Sequence, residues 1–258
     1  MKLLKIMVLN GISTLLMGQS NNEWPTGWMG GIAAGINGWG EWNHAVSPNP
    51  MNGSVLGWSL TNYYTQQDCN AMSLGWRKNN PKSAYGFAVM SSGNTLMRNN
   101  RVRWIYAKAL SESTKMGLLF DLGRVRFPEV TVHQVNWEWS ASYRGNRYFG
   151  VCWLQGNIVQ NDWWRSKGQM GMVANYSISE ETELQAGSVY KLYQRATFKV
   201  AVTHSFHQNW RGLIAYQWQP MQWTIGLMKS YSRVRISGML IFSALPLPSL
   251  QQQGMYEV

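Results

Sequence analysis

Residues 196–243 alternate between bulky apolar and small or polar side chains with a period of two. The alternation falls into four runs of about ten residues separated by minimal turns at 207–209, 219–220 and 230–232, which leaves no room for a helix. Runs of ~9–11 residues with tight turns are the mark of strands that cross a membrane as a barrel wall. The pattern recurs upstream. Residues 54–64 set Leu56, Trp58 and Leu60 against Gly57, Ser59 and Thr61. Residues 70–77 set Met72, Leu74 and Trp76 against Ala71, Ser73 and Gly75, and residues 83–92 set Tyr85, Phe87 and Val89 against Ala84, Gly86 and Ala88. Further on, Val102, Trp104 and Tyr106 oppose Arg101 and Arg103, and Met116, Leu118, Phe120 and Leu122 share a face. Residues 131–144 are the most telling, with Val135, Trp137, Trp139 and Tyr143 on one face and Gln134, Asn136 and Glu138 on the other. Polar side chains on the inner face suit a wet lumen and would be costly in a dry sandwich core.

Strands at 147–159, 169–179 and 183–193 complete a count of thirteen. A single-chain bacterial barrel closes with an even number, so a fourteenth must come from residues 28–37 or from the tail at 247–258. The expectation is therefore an all-β fold, a transmembrane antiparallel β-barrel of about 14 strands, with 12 as the alternative. The turns fall into two sets. Those at 111–114, 144–146, 179–182 and 207–209 are uniformly short, as periplasmic turns are, whereas the other set includes longer loops at 91–100 and 160–167. This places the N-terminus in the periplasm. Trp76, Trp163, Trp164, Trp210, Trp218 and Trp223 lie at or near strand ends and are expected to form an interface girdle, the alternative for each being core packing.

The N-terminus changes the picture in two ways. Lys2 and Lys5 precede a short apolar run at 6–17 and small residues at Gly18 and Ser20. That order reads as a secretory signal peptide over residues 1–18, too short for a membrane anchor. Residues 19–53 do not alternate and are rich in glycine, so they are expected to pack as a segment against or inside the lumen, ahead of the barrel proper at 54–258. Only 14% of residues are charged, against 25 Gly, 15 Trp and 12 Tyr, a balance unusual for a soluble domain. A soluble sandwich or propeller remains the alternative on composition alone.

The formal charge is +11, or 11 − 2 = +9 once Lys2 and Lys5 are removed. The basic residues stand singly at strand ends, without a run or a helical stripe, which argues against nucleic acid as a partner. Outer-membrane lipid and lipopolysaccharide, or an acidic protein partner, fit better. Cys69 and Cys152 lie on predicted strands far apart in order and are expected to stay unpaired. The four histidines are scattered, Asp121 stands alone in a strand, and no nucleophile elbow, zinc-ligand spacing or phosphate loop occurs. His204 and Ser205 are strand neighbours that face opposite ways and cannot act as a base and its nucleophile. The chain is expected to be no enzyme and to carry no cofactor or metal.

Met29-Gly30-Gly31, running through a glycine-rich stretch to Asn49-Pro50, resembles the start of the FadL-like outer-membrane proteins. Residues 59–64 and 107–112 are similar to a strand and turn of the PorV and PorQ branch found in Bacteroidota, and the resemblance extends loosely over the mature chain. Met51-Asn52 stand where the family pattern continues with Ala-Gly. The resemblance implies a fourteen-stranded barrel in the bacterial outer membrane, with Gly30, Gly31, Asn49 and Pro50 in a structural motif rather than a binding site. Its members are transporters of hydrophobic compounds or components of type IX secretion. The first expectation is a non-enzymatic subunit or accessory of a larger outer-membrane secretion or assembly complex, in contact with other outer-membrane or periplasmic proteins. The alternative is a channel or transporter for hydrophobic small molecules.

Overall fold

A computed structural model describes residues 45–46, 53–62, 70–93, 98–159, 168–191, 196–218, 221–232, 234–243 and 249–257. The described residues form fourteen strands: β1 (Gly53–Asn62), β2 (Asn70–Asn79), β3 (Ser83–Gly93), β4 (Arg98–Ala109), β5 (Thr114–Arg126), β6 (Thr131–Arg144), β7 (Tyr148–Val159), β8 (Gln169–Ser177), β9 (Thr182–Lys191), β10 (Thr197–His207), β11 (Trp210–Trp218), β12 (Gln222–Tyr231), β13 (Val234–Ser243) and β14 (Ser249–Glu257). Each pairs antiparallel with its sequence neighbours, and β14 pairs with β1 from Val55↔Glu257 to Asn62↔Leu250, so the sheet closes into a transmembrane barrel. Of the two candidates for the fourteenth strand, the tail takes the place: both edges of β14 are used, by β13 and by β1. Residues 28–37, the proposed signal peptide and the motif residues Gly30, Gly31, Asn49 and Pro50 lie outside the described residues.

Following paired positions strand by strand around the wall returns to β1 about 14 residues further along, one per strand. A stagger of that size sets the strands at roughly 35–40° to the axis. With strands ~4.8 Å apart, the ring spans roughly 25 Å between opposite backbones.

Side chains divide as a period of two requires. Leu56, Trp58, Met72, Leu74, Phe87, Trp104, Phe120, Leu122 and Trp139 face outward and are exposed. Their strand neighbours face inward and are buried, among them Ser59, Ser73, Ala88, Arg103, Asp121, Gln134, Asn136 and Glu138. An exposed apolar exterior of this extent belongs against lipid.

The two rims differ. The connections β2–β3, β4–β5, β6–β7, β8–β9, β10–β11 and β12–β13 are tight, closed by bonds such as Asn80 N–H to Ser83 O (2.7 Å) and Gly145 N–H to Tyr148 O (2.7 Å). The start of β1 and the end of β14 lie at this short-turn rim. At the opposite rim the expected long loop at 91–100 shrinks to a hairpin. There β3 and β4 stay paired through Ser91↔Asn100 to Gly93↔Arg98, because the polar run Ser91-Ser92-Gly93 still offers every backbone group to the ladder. Residues 160–167, the other expected loop, lie outside the described residues.

Interface aromatics sit at both rims. Outward tyrosines Tyr85, Tyr106, Tyr143, Tyr148, Tyr176 and Tyr256 all lie within four residues of the short-turn end of their strands. Such amphipathic rings suit the level where hydrocarbon gives way to water. Trp218 and Trp223 face outward near the other rim, with Trp223 tilted over Tyr216 at 4.6 Å. Trp76 is half-buried between Tyr85 and Phe87, and Trp210 lies at the short-turn rim beneath the Lys229 ammonium at 4.7 Å. Trp163 and Trp164 lie outside the described residues. Cys152 is free and faces outward, and Cys69 lies outside the described residues.

Candidate functional site

The lumen is built from two unlike halves. On β2 to β7 the inward positions carry charge. Arg103 and Asp121 are register partners across β4 and β5 and form a bidentate pair, with Nε to Oδ1 at 2.7 Å and Nη2 to Oδ2 at 2.6 Å. Both are almost fully buried, at 2% and 1% exposure. Asp121, which looks isolated along the chain, is therefore the counterion of an arginine eighteen residues earlier. Burying either charge alone would be costly, and the two-bond geometry offsets much of that cost. Next to them, Gln134 turns its amide oxygen to accept from Arg101 Nε and Nη2 at 3.2 and 3.1 Å.

Glu138 and Arg77 do something different: they grip a piece of the chain itself. Ala45 and Val46 lie inside the barrel, at 0% and 1% exposure. The Ala45 N–H donates to Glu138 Oε1 at 3.1 Å, and Arg77 Nη2 donates to the Ala45 carbonyl at 2.9 Å. Both polar groups of one peptide residue are thus held by opposite charges from β6 and β2. Arg77 is steadied by Asn79, which accepts from Nε at 2.9 Å, and Glu138 by Gln155, whose Nε2 donates to Oε2 at 2.5 Å. Gln155 in turn accepts from Gln169. Charge-assisted bonds of this kind are the stronger ones.

Shape matches charge. Ala45 packs among Ala88, Met90, Ile105 and Leu119, and Val46 among Ala84, Ala107, Phe149, Val151, Trp153, Val173 and Val189. The bulky members of these clusters, among them Met90, Ile105, Leu119, Phe149 and Trp153, break the bulky-out, small-in rule, and residues 45–46 belong to the same clusters. Gly117 completes the seat: a Cβ there would fall 2.7 Å from the Ala45 Cβ and 2.9 Å from the Tyr106 carbonyl oxygen. Only glycine lets the residue come this close to the wall.

The opposite half, on β10 to β13, carries an apolar patch at mid-height, with the inward polar and basic positions Lys199, Gln217 and Gln222 towards one rim and Arg211 and Arg235 towards the other. Leu213, Gly226 and Met239 form one cross-strand row, and Ala215, Thr224 and Ile241 form the next. Ala201 and Met228 extend the patch, and all of these face inward and are buried. Between the halves lies a polar strip, in which Asn175 Nδ2 donates to Glu183 Oε2 at 3.4 Å. Asn175 and Gln185 are register partners on β8 and β9, with Thr203 nearby on β10. Asn175 Oδ1, both amide atoms of Gln185 and Thr203 Oγ1 are buried with no hydrogen-bond partner. Buried polar atoms of this kind are served by water or by a solute in the lumen.

Among the described residues no group of His, Cys, Asp and Glu could hold a metal ion. His204 accepts or donates a bond with Thr182 Oγ1 at 2.9 Å and meets no nucleophile–base pairing with Ser205. Sequence reasoning placed Arg101, Arg103, Gln134, Asn136 and Glu138 inward correctly. It expected residues 19–53 against or inside the lumen without singling out Ala45, and it missed Arg77 and the apolar patch.

No protein-family model matches the chain, and no curated protein does. Solved structures are similar in fold. A CymD monoaromatic hydrocarbon channel aligns over 89% of this chain and 97% of its own, at 11% identity and a TM-score of 0.58. The Pseudomonas putida toluene transporter TodX aligns over 88% and 96%, at 10% identity and 0.55. The Acinetobacter baumannii outer membrane protein Omp33 aligns over 80% and 98%, at 3% identity and 0.53. At such identities the likeness is one of fold, and the fold is that of an outer-membrane β-barrel.

Proposed function

We propose that this chain is a non-enzymatic outer-membrane channel through which small, largely apolar molecules pass, and that it rests closed with residues 45–46 gripped in the lumen. The observation that carries the reading is the division of the lumen. A charged wall holds Ala45 by both backbone groups, and an apolar face of Leu213, Ala215, Met239 and Ile241 stands opposite it. An apolar solute gains by sliding along such a face, while the polar strip of Asn175, Gln185 and Thr203 offers hydrogen bonds to any hydroxyl it carries. Arg103 and Asp121 neutralise each other, so this pair adds no net charge beside the seat. The short-turn rim is the periplasmic one, as short turns are in such barrels, which puts both ends of the wall on that side.

CymD is a monoaromatic hydrocarbon channel and TodX a toluene transporter, and these roles weigh for passage over service as an accessory subunit of a secretion complex. Membership of the FadL-like proteins, and of their PorV branch, stays a reading of residues 29–50, 59–64 and 107–112. Uptake of an apolar aromatic probe into liposomes tests the proposal, comparing the full chain with a form lacking residues 21–50. Slow entry with the full chain and faster entry with the deletion is expected. No flux through either form removes the channel.

A further inference from the structure

On three adjacent strands the outward face changes from apolar to basic at one level, near the long-loop rim. Along β4 it runs Trp104, Val102, Asn100, Arg98; along β5, Phe120, Leu122, Arg124, Arg126; along β6, Val135 and then His133. The ladder brings the basic positions together: Arg98 is directly opposite Arg126, Asn100 opposite Arg124, and Arg124 opposite His133. All of these side chains are exposed. Directly opposed residues place their Cβ atoms ~5 Å apart, and like charges so placed repel. Among the described residues no carboxylate pairs with Arg98, Arg124 or Arg126; Glu129 lies in the turn beyond them and makes no ion pair with any of the three. Asn100 is oriented by Ser91, whose hydroxyl donates to Oδ1 at 2.8 Å, so the amide NH2 is left as a further donor.

Three guanidinium groups and an amide donor thus stand together immediately above the apolar band, at the rim that the proposed orientation puts in the outer leaflet. Repulsion between Arg98 and Arg126 disfavours the cluster unless an anion sits between them. Guanidinium is the side chain best matched to phosphate oxygens. We propose that Arg98, Arg124 and Arg126 form a binding site for a phosphate group of lipid A, whose acyl chains lie on the apolar face of Val102, Trp104, Phe120 and Leu122. The site rests on the outer-membrane orientation given above and is independent of passage through the lumen, because these side chains point away from it.

The test uses the full barrel purified in mild detergent. Its binding to bisphosphorylated lipid A, to the same lipid A with its phosphates removed, and to phosphatidylglycerol is measured by native mass spectrometry. The variants are the triple substitutions R98Q/R124Q/R126Q and R98K/R124K/R126K. The wild type is expected to prefer phosphorylated lipid A at least about tenfold over the dephosphorylated form, since several charge-assisted bonds are involved. The glutamine variant is expected to lose the preference and the lysine variant to keep a large part of it. Heat-modifiable migration on gels confirms that each variant is folded. Equal binding of the two lipid A forms, unchanged preference in the glutamine variant, or phosphatidylglycerol competing as well as lipid A would each overturn the site. Liposome uptake by the wild type and the glutamine variant separates the two proposals: a wild type that fails to transport yet prefers phosphorylated lipid A loses the channel and keeps the lipid site, and a wild type that transports without that preference keeps the channel and loses the lipid site.

Discussion

Glu138→Ala tests the hold on residue 45, at the cost of also freeing the Gln155 amide. In the folded chain the Ala45 amide has one partner of opposite character, the Glu138 carboxylate at 3.1 Å, in a place with no solvent. Removing that carboxylate leaves a buried N–H without an acceptor and deletes a bond to a charged group, a loss of about 2 kcal/mol. The Arg77 bond to the carbonyl and the packing of Ala45 and Val46 remain, so the segment is loosened rather than expelled. A weakening of about 2 kcal/mol shifts the ratio of released to seated segment roughly 30-fold. Planar-bilayer recordings read this as a rise of that order in the ratio of open to closed time, starting from a mostly closed wild type. Glu138→Gln keeps an acceptor and gives up only the charge, so it should move the ratio severalfold at most. If Glu138→Ala barrels fold, insert and remain as closed as the wild type, the seat on β6 does not control the lumen and the gating argument fails.

Three further outcomes follow from the wall itself. Asp121→Asn strands the buried Arg103 and should cost about 3–5 kcal/mol, read as a clear fall in the temperature at which the barrel loses its compact gel mobility; an unchanged temperature would mean that the pair is hydrated. Met239→Asp puts a charge on the apolar face of the lumen and should cut uptake of an apolar probe about tenfold or more while leaving the barrel intact. Equal uptake would place the path elsewhere. Deleting residues 249–258 should abolish the heat-modifiable barrel, whereas deleting 28–37 should preserve it, since β14 and not the N-terminal stretch fills the seam.

The wall was legible because each strand carries its own evidence: Trp137 and Trp139 against Asn136 and Glu138 declare a face without reference to any neighbour. What depends on register was not. Arg103 and Asp121 meet only because β4 and β5 pair with one offset, and a shift of a single residue would turn one of them to the lipid. The tyrosine girdle is hidden in the same way, its members being scattered along the chain and gathered only by closure. The tail concealed its strand for another reason. Gln251-Gln252-Gln253 has no contrast between faces, although Gln252 points outward between Leu250 and Tyr256. The seat of Ala45 left one signal, the inward bulk of Phe149, Val151 and Trp153 on β7, which an open, water-lined wall has no reason to carry.

The β1–β14 seam has a consequence for how the molecule comes into being. Val55 must find Glu257 across nearly the whole chain, and that pairing bears the largest loop-closure cost of any in the sheet. Every other pair of strands can form as a local hairpin or beside one. Until the nine residues of β14 arrive, the wall is an open sheet with two unpaired edges, each able to add a strand from another chain. The final strand is therefore the one that converts a sticky intermediate into a finished pore. Anything that delays β14, from a tag fused after Val258 to a polar-to-apolar change in its glutamines, is felt first as misassembly and only afterwards as lost stability.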